Sequence, residues 1–223
     1  MPNMLDHRSI FFTALGYPMS YLEFFGTVLS LWSVWLLARN RILNWPVGIA
    51  GVSLFAALFY QIRLYSDFAE NIYFLLMSIY GWWRWLHPTT AAETAAQHEL
   101  RITRNSPRAN AAWAGGIAVA GLLLGLAMAR IHVLLPRFFP EPASLPYLDA
   151  FTTVMSLAAM ALQTRKKIEN WVLWILVDIL GVGIYFSKGV KLVALLFLIF
   201  LGLATQGYFL WRRALRSQSA QSA

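Results

Sequence analysis

Asp178 carries the sharpest chemistry in this chain. It sits two turns past Asn170, inside the apolar stretch 171–187. A carboxylate at mid-bilayer depth costs about 2.5–3.5 kcal/mol on insertion scales, so it must face an interior cavity or a partner. Trp171, Trp174, Asp178 and Tyr185 recur at i, i+3, i+7 and i+14, which places them on one helical face. Two indoles, a carboxylate and a phenol on one face suit a flat organic cation, through stacking, cation–π attraction and charge pairing. The competing assignment pairs Asp178 with a hydroxyl or amide of a neighbouring helix as structural glue.

Other polar and aromatic residues bear on the same chemistry. Asp67-x-x-Glu70 has the spacing of an N-terminal capping box, so Glu70 is read either as a cap or as a ligand. Asn71, one step deeper, shares a face with Ser78, Trp82 and Trp85 and is a hydrogen-bonding candidate. Trp45 and Trp171 occupy equivalent ends of two helices. With Trp82, Trp83, Trp85 and Trp211 they also fit an aromatic belt at the membrane surface. Trp174 lies a turn deeper than such a belt. Gln206 is a further candidate on the last helix. Glu23 and Asp149 match each other near two helix starts and read as symmetric caps.

The elements that position these residues follow from an internal duplication. At a constant offset of 126 residues, Tyr21-Leu22-Glu23 meets Tyr147-Leu148-Asp149, Ser30-Leu31 meets Ser156-Leu157, and Arg39 meets Arg165. Asn44-Trp45 meets Asn170-Trp171, Gly81 meets Gly207, and Trp85 meets Trp211, without a gap. Each copy has the length of a three-helix bundle, and an internal repeat in a membrane protein points to a transporter fold with its site between the halves.

Apolar residues make up 59% of the 223 positions, which fits a membrane protein with room for about seven spans of roughly 20 residues. Helices are expected at 20–37, 45–62, 68–86, 111–129, 147–164, 170–187 and 190–211. The fold class is therefore an all-α membrane protein. It has seven transmembrane helices, as two parallel three-helix repeats joined by a central helix. One intervening helix gives both repeats the same orientation. Gly115, Gly116, Ala120, Gly121 and Gly125 give the central helix small-xxx-small spacing, suited to close packing.

Lys and Arg divide 12 to 6 between the two sides, counted at 39, 41, 84, 101, 104, 108, 165–167, 212, 213 and 216 against 8, 63, 130, 137, 188 and 191. The richer side is expected to be cytoplasmic, with the N-terminus outside and the C-terminus inside. The segments are then an extracytoplasmic stretch 1–19, a first repeat 20–86 and a polar cytoplasmic linker 87–110. A linking helix 111–129, an outer loop 130–146, a second repeat 147–213 and a cytoplasmic tail 214–223 complete the chain. The tail from Ser217 on reads as disordered. No cleavable signal peptide is apparent, because Asp6, His7, Arg8 and Pro18 interrupt the first 20 residues.

Several functions are disfavoured. The chain has no cysteine, so disulfides, thiolate metal sites and cysteine nucleophiles are excluded. His7, His87, His98 and His132 all fall outside the spans, which removes an intramembrane histidine metal site. Neither a P-loop nor a HExxH or nucleophile-elbow pattern occurs. No enzyme activity, metal or cofactor is expected. The net charge of +8 sits at helix ends and orients the chain, so no nucleic-acid partner is implied.

Asn44-Trp45-Pro46-Val47-Gly48-Ile49, Phe59-Tyr60, Leu64-Tyr65-Ser66-Asp67 and Tyr80-Gly81-Trp82 follow in order in the first half. Asn170-Trp171-x-x-Trp174-Ile175 and Gln206-Gly207-Tyr208-x-x-Trp211 follow in the second. This pattern, from about Tyr21 to Arg213, resembles the PnuC family of vitamin transporters, typified by nicotinamide riboside uptake. The resemblance implies a three-plus-one-plus-three fold similar to SWEET sugar transporters. It also implies facilitated diffusion of an unphosphorylated vitamin, with trapping by a cytoplasmic kinase. It carries over Trp171, Trp174 and Asn170 as site residues. Two positions depart: Glu70-Asn71 stands where nicotinamide riboside members typically have Leu-Gln, and Asp178 where they typically have Asn. Both departures add negative charge, which suits a cationic vitamin, nicotinamide riboside or thiamine. The alternatives are a neutral-solute or sugar carrier on the same fold, and a non-transporting receptor. The expected partners are a small vitamin, the lipid bilayer and, functionally, the kinase; the sequence leaves association into a homo-oligomer open.

Overall fold

The computed structural model describes residues 4–14, 16–88, 100–137 and 141–220. Among them a β-hairpin, β1 (Ile10–Ala14) and β2 (Tyr17–Ser20), precedes seven helices. These are α1 (Tyr21–Ala38), α2 (Asn44–Gln61), α3 (Tyr65–Leu86), α4 (Pro107–Leu134), α5 (Pro146–Thr164), α6 (Glu169–Ser187) and α7 (Lys191–Ala220).

The fold is all-helical, as expected, apart from this hairpin. Its strands are antiparallel, and Phe11 packs its ring against Tyr21, Phe24 and Phe25 of α1. It delivers Ser20 as the N-cap of α1. Ser20 Oγ accepts the Glu23 N–H at 3.2 Å, and Glu23 Oε2 accepts the Ser20 N–H at 2.8 Å, a reciprocal capping box. The Tyr17 hydroxyl donates to Glu23 Oε1 at 2.6 Å, a bond that pushes the phenol up to about 12. The expected symmetry of caps stops there. Asp149 lies in the first turn of α5, whose N-cap Leu145 makes no side-chain cap bond.

Three further expectations are corrected. Helix α3 begins at Tyr65, with Leu64 as N-cap and no side-chain cap, so Asp67 and Glu70 lie within the helix and form no capping box. Helix α7 continues to Ala220, so the tail is helical from 214 through 220. The linker includes residues 89–99, which lie outside the described residues. Residues 100–106 form an extended strap, and 107–110, expected in the linker, already belong to α4, which starts at Pro107 behind an N-cap Ser106.

The duplication is visible in backbone detail. The α1–α2 and α5–α6 turns, at the lower end of the bundle, place Asn40 and its mate Lys166 in the left-handed region at φ +55° and +47°. The α2–α3 and α6–α7 turns, at the upper end, do the same with Arg63 and its mate Gly189. Within each half, the first helix packs on the second and the second on the third. Across the halves α3 packs on α5, and its mate α7 packs on α1. The six helices thus close a ring, and among the described residues α4 packs on α5 alone. The rings of Phe151 and Tyr147 lie against Gly121 and Gly125 of α4.

The outer surface is apolar: Trp32, Leu76, Leu123, Phe186 and Leu198 are all exposed, as lipid-facing side chains are. Helices α1, α4, α6 and α7 are long and apolar enough to cross a bilayer; α2, α3 and α5 are as long but less apolar. Charged α3 lies on one seam between the halves, where polarity can turn inward.

Glycine sets the closest approach in each half. A Cβ at Gly81 would collide with the Trp45 ring, and one at Gly207 would collide with the Trp171 ring. Gly81→Ala and Gly207→Ala should each cost about 1–3 kcal/mol by overpacking. Melting curves in detergent should show both losses, whereas Gly115→Ala, with nothing within 4 Å, should melt like the parent.

Candidate functional site

Four tryptophans close the lower end of the ring. Trp45 meets Trp85 edge-on at 5.2 Å, and Trp171 meets Trp211 edge-on at 5.5 Å, one pair per half. Trp85 and Trp211 join the pairs at 6.2 Å. All four are at most 1% exposed, so they form core packing and not the surface belt that the sequence allows for. Trp82 and Trp83 are exposed and do fit that belt.

Hydrogen bonds tie this cluster across the halves. Trp85 Nε1 donates to the Gln163 carbonyl at 3.3 Å, and Trp211 Nε1 donates to the Leu37 carbonyl at 3.1 Å. Gln163 and Leu37 are themselves mates at the 126-residue offset, so the two bonds are symmetric. Asn44 and Asn170 each donate from Nδ2 into the preceding turn, to Arg41 and Lys167 carbonyls at 2.7 and 2.6 Å. Asn170, Trp171 and Trp45 therefore sit in this packed layer, below the helical midpoint.

The layer is symmetric, but its cover is not. Among the described residues, strap 100–106 bonds to the α5–α6 turn and, through Leu100 N, to the Trp85 carbonyl at 3.1 Å, with no backbone bond to the α1–α2 turn. Thr103 N donates to Lys166 O at 3.0 Å, Ile168 N donates to Thr103 O at 3.0 Å, and Asn105 N donates to Glu169 Oε1 at 3.1 Å. Leu100 and Ile102 of the strap are buried in the tryptophan core. Lys166 is fully buried and holds Nζ 4.0 Å over the Trp85 ring, a cation–π contact. On the opposite half, Leu43 remains 58% exposed.

Above this layer polar and aromatic side chains of α3, α5 and α6 gather in a cluster, here called the chamber. Trp174 reaches from α6 to Phe74 of α3 at 6.2 Å, and its Nε1 donates to Gln163 Oε1 of α5 at 3.1 Å. The Tyr73 hydroxyl of α3 donates to the Leu157 carbonyl of α5 at 2.9 Å. Asp178, one turn above Trp174, is 5% exposed and has no hydrogen-bond partner among the described residues. Two turns higher, about 10 Å along the helix, Tyr185 stacks on Phe197 at 5.4 Å. The carboxylates of Asp67, Glu70 and Asp149 all lie close enough to Tyr185 to act on it electrostatically. Asn71 is half-buried there and donates to the Asp67 carbonyl at 2.9 Å.

The chamber belongs to one seam. On the α3–α5–α6 side stand Asp67, Glu70, Gln163, Trp174, Asp178 and Tyr185. Their mates on the α7–α1–α2 side are Val193, Leu196, Leu37, Gly48, Val52 and Phe59. At these six positions polarity is confined to one seam, whereas Asp149 and its mate Glu23 are acidic in both. The structure brings Trp174, Asp178, Tyr185, Glu70 and Asn71 to this seam. Gln206 is exposed on α7 and Trp82 is 38% exposed on α3, so neither reaches it. Two surface cavities, of about 380 Å³ beside His7 and Gln61 and about 490 Å³ beside Asn110 and Glu169, lie away from it.

Gln163 escaped the sequence reading because a lone glutamine near a helix end carries no pattern. Its signal is the broken repeat: Gln163 and Trp174 differ from their mates together. The depth of Trp45 and Trp171 is signalled by Gly81 and Gly207, which admit their indoles beside α3 and α7.

A closed ring of duplicated helices, with an acid at mid-helix that has no hydrogen-bond partner among the described residues and buried tryptophans at the lower end, defines a membrane carrier. Residues 20–213 match the family described as nicotinamide mononucleotide transporter. The chain is 30% identical to the nicotinamide riboside transporter PnuC of Escherichia coli K12, over 99% of this chain and 96% of that one. It is 26% identical to the nicotinamide riboside transporter PnuC of Neisseria mucosa, over 92% and 76% of the two chains. It is 28% identical to the riboflavin/roseoflavin transporter RibM of Streptomyces davaonensis, over 83% and 82%. The crystal structure of the vitamin B3 transporter PnuC shares the fold at a TM-score of 0.65, with 22% identity, covering 88% of this chain and 83% of that one. The chain belongs to the PnuC family and is an integral membrane protein.

Trp85→Phe and Trp211→Phe each delete one cross-half bond and keep most of the ring volume. Each should lower stability by about 0.5–1.5 kcal/mol, and should speed amide exchange in the α5–α6 and α1–α2 turns respectively, as measured by deuterium uptake.

Proposed function

We propose that this chain carries an unphosphorylated cationic vitamin, nicotinamide riboside first, by facilitated diffusion. One observation carries the reading: Asp178 is buried at mid-depth without a hydrogen-bond partner among the described residues, in a chain whose relatives include named nicotinamide riboside transporters. A buried acid of this kind is stabilised by a ligand cation. Trp174, Phe74 and Tyr185 offer the flat faces that a pyridinium ring stacks against. Glu70 and Asn71 add polar groups above, while Asn170, Trp171 and Trp45 support the floor.

The proposed topology has all seven helices crossing the bacterial inner membrane as two parallel repeats around α4, in a SWEET-like three-plus-one-plus-three arrangement. The Lys and Arg bias puts the lower, tryptophan-sealed end in the cytoplasm and the hairpin outside. The segment boundaries expected from the sequence belong to this proposal, with the linking helix taken as α4, Pro107–Leu134. The six-helix ring supports it, because each cross-half contact has its symmetric counterpart.

Transport in this scheme is a rocking of one repeat against the other. The cation leaves water, meets the acids near Tyr185, and settles between Trp174 and Asp178. Rocking then breaks the tryptophan bonds between the halves and frees the lower exit. A cytoplasmic kinase adds phosphate, and the acidic chamber repels the product, which retains it for NAD biosynthesis. The reading includes neither catalysis nor a cofactor. The riboflavin/roseoflavin relative favours a second reading, a neutral flavin stacked on the same aromatic faces. Thiamine, also cationic, competes with nicotinamide riboside on the first.

Asp178→Asn separates these readings. Loss of the charge should weaken nicotinamide riboside binding about tenfold to a hundredfold, read by calorimetry on purified protein and by uptake into proteoliposomes. Unchanged nicotinamide riboside affinity with retained riboflavin uptake would move the assignment to the flavin.

A further inference from the structure

Gln163 uses both of its polar ends between the chamber and the tryptophan layer. Its side-chain Oε1 accepts the Trp174 indole N–H at 3.1 Å, and its backbone carbonyl accepts the Trp85 indole N–H at 3.3 Å. The same carbonyl accepts the Lys166 N–H at 3.0 Å, in the turn whose lysine lies over the Trp85 ring. Gln163 is 8% exposed, so little water competes for these bonds. At the equivalent position Leu37 keeps the backbone bond, to Trp211, but has no side-chain acceptor, and the position opposite it is Gly48 rather than an indole.

We propose that Gln163 is a positioning residue that orients Trp174 for the substrate and couples chamber occupancy to the tryptophan seal. This rests on the carrier function proposed above. A flat cation stacked on Trp174 fixes that indole, the indole fixes the Gln163 amide, and the amide fixes the end of α5. The end of α5 in turn presents the carbonyl that holds Trp85. Because only the second half has this link, a substrate-dependent change of the seal should begin at the α3–α5 seam and not at its α7–α1 counterpart. A merely structural glutamine at the end of α5 would hold the helix equally with the chamber empty or full.

The test compares the full-length parent with Gln163→Met, which keeps length but lacks the amide acceptor, and with Gln163→Glu, which restores an acceptor. Trp174→Phe and the double variant with Gln163→Met complete a cycle. Nicotinamide riboside affinity is measured by calorimetry, KM and maximal rate by proteoliposome uptake, and deuterium uptake over the α5–α6 turn with and without nicotinamide riboside. Gln163→Met should raise the dissociation constant and KM about three- to tenfold, should add nothing in the Trp174→Phe background, and should abolish the ligand-dependent change in exchange. Gln163→Glu should restore that change. A Gln163→Met protein that melts lower but keeps KM and the ligand-dependent exchange would make the residue structural and overturn the inference. Loss of that exchange in the α1–α2 turn instead would also overturn it. Parent protein that neither binds nor carries nicotinamide riboside would sink the functional reading itself, a result distinct from the other two.

Discussion

The contact on which this structure turns is an indole laid flat against a glycine, made once in each half. Trp45 on Gly81 and Trp171 on Gly207 bring the second and third helices of each bundle to their closest approach. That approach seats Trp85 and Trp211 edge-on against the buried pair, with their N–H groups facing the other half. An indole N–H buried in a lipid-solvated bundle gains from an acceptor, which those of Trp45 and Trp171 lack among the described residues and those of Trp85 and Trp211 have. Each of the latter two finds one at the end of the opposite half's first helix, where a terminal turn leaves carbonyls available. Packing within a bundle thereby dictates bonding between bundles, and the ring closes at its lower end.

Symmetry alone gives a scaffold without a substrate. The two seams are equivalent in backbone and opposite in chemistry. One carries carboxylates, an amide and a phenol; the other carries aliphatic and aromatic groups at the matching positions. In lipid, polar groups gathered on one seam can hydrate or serve a ligand together, whereas the same groups spread over both would each need a separate partner. The strap over the α5–α6 turn adds a second asymmetry on the polar half, and Lys166 is buried where its mate Asn40 is not.

Much of this architecture is legible in the residue order. The constant offset sets two bundles, and the helix limits follow to within a few residues except where an end runs on past its apolar segment, as in α4 and α7. The capping box at Ser20 and Glu23 is readable as a pattern; the false one at Asp67 and Glu70 has the same spacing but sits inside a helix that begins earlier. A motif gives spacing and not register. Burial is the less legible part. Trp45, Trp82, Trp85 and Trp211 look alike as tryptophans near a membrane surface; Gly81 and Gly207 mark the core indoles of Trp45 and Trp171, and Trp85 and Trp211 are buried by packing edge-on against those two. Gln163 is invisible for a related reason: its two partners come from helices 11 and 78 residues away. The hairpin was missed because its Ile10–Ala14 and Tyr17–Ser20 strands are too short to show a period.

Charge placement along the chamber fits a carrier that must release what it binds. In the proposed scheme the upper acids concentrate a cation at the mouth without holding it, since they repel one another and share the region around Tyr185. Asp178 is the single acid at mid-helix on this face, so in that scheme the bound cation would be neutralised once and no more. A second buried acid beside it would bind more tightly and slow release. With none, the desolvation of the cation would go uncompensated, and transfer through the bundle would face the full cost of stripping its water. A lone carboxylate flanked by aromatic faces lies between these limits. That balance requires the aromatic partner to be held in place, because a freely rotating Trp174 would forfeit the stacking that complements the charge.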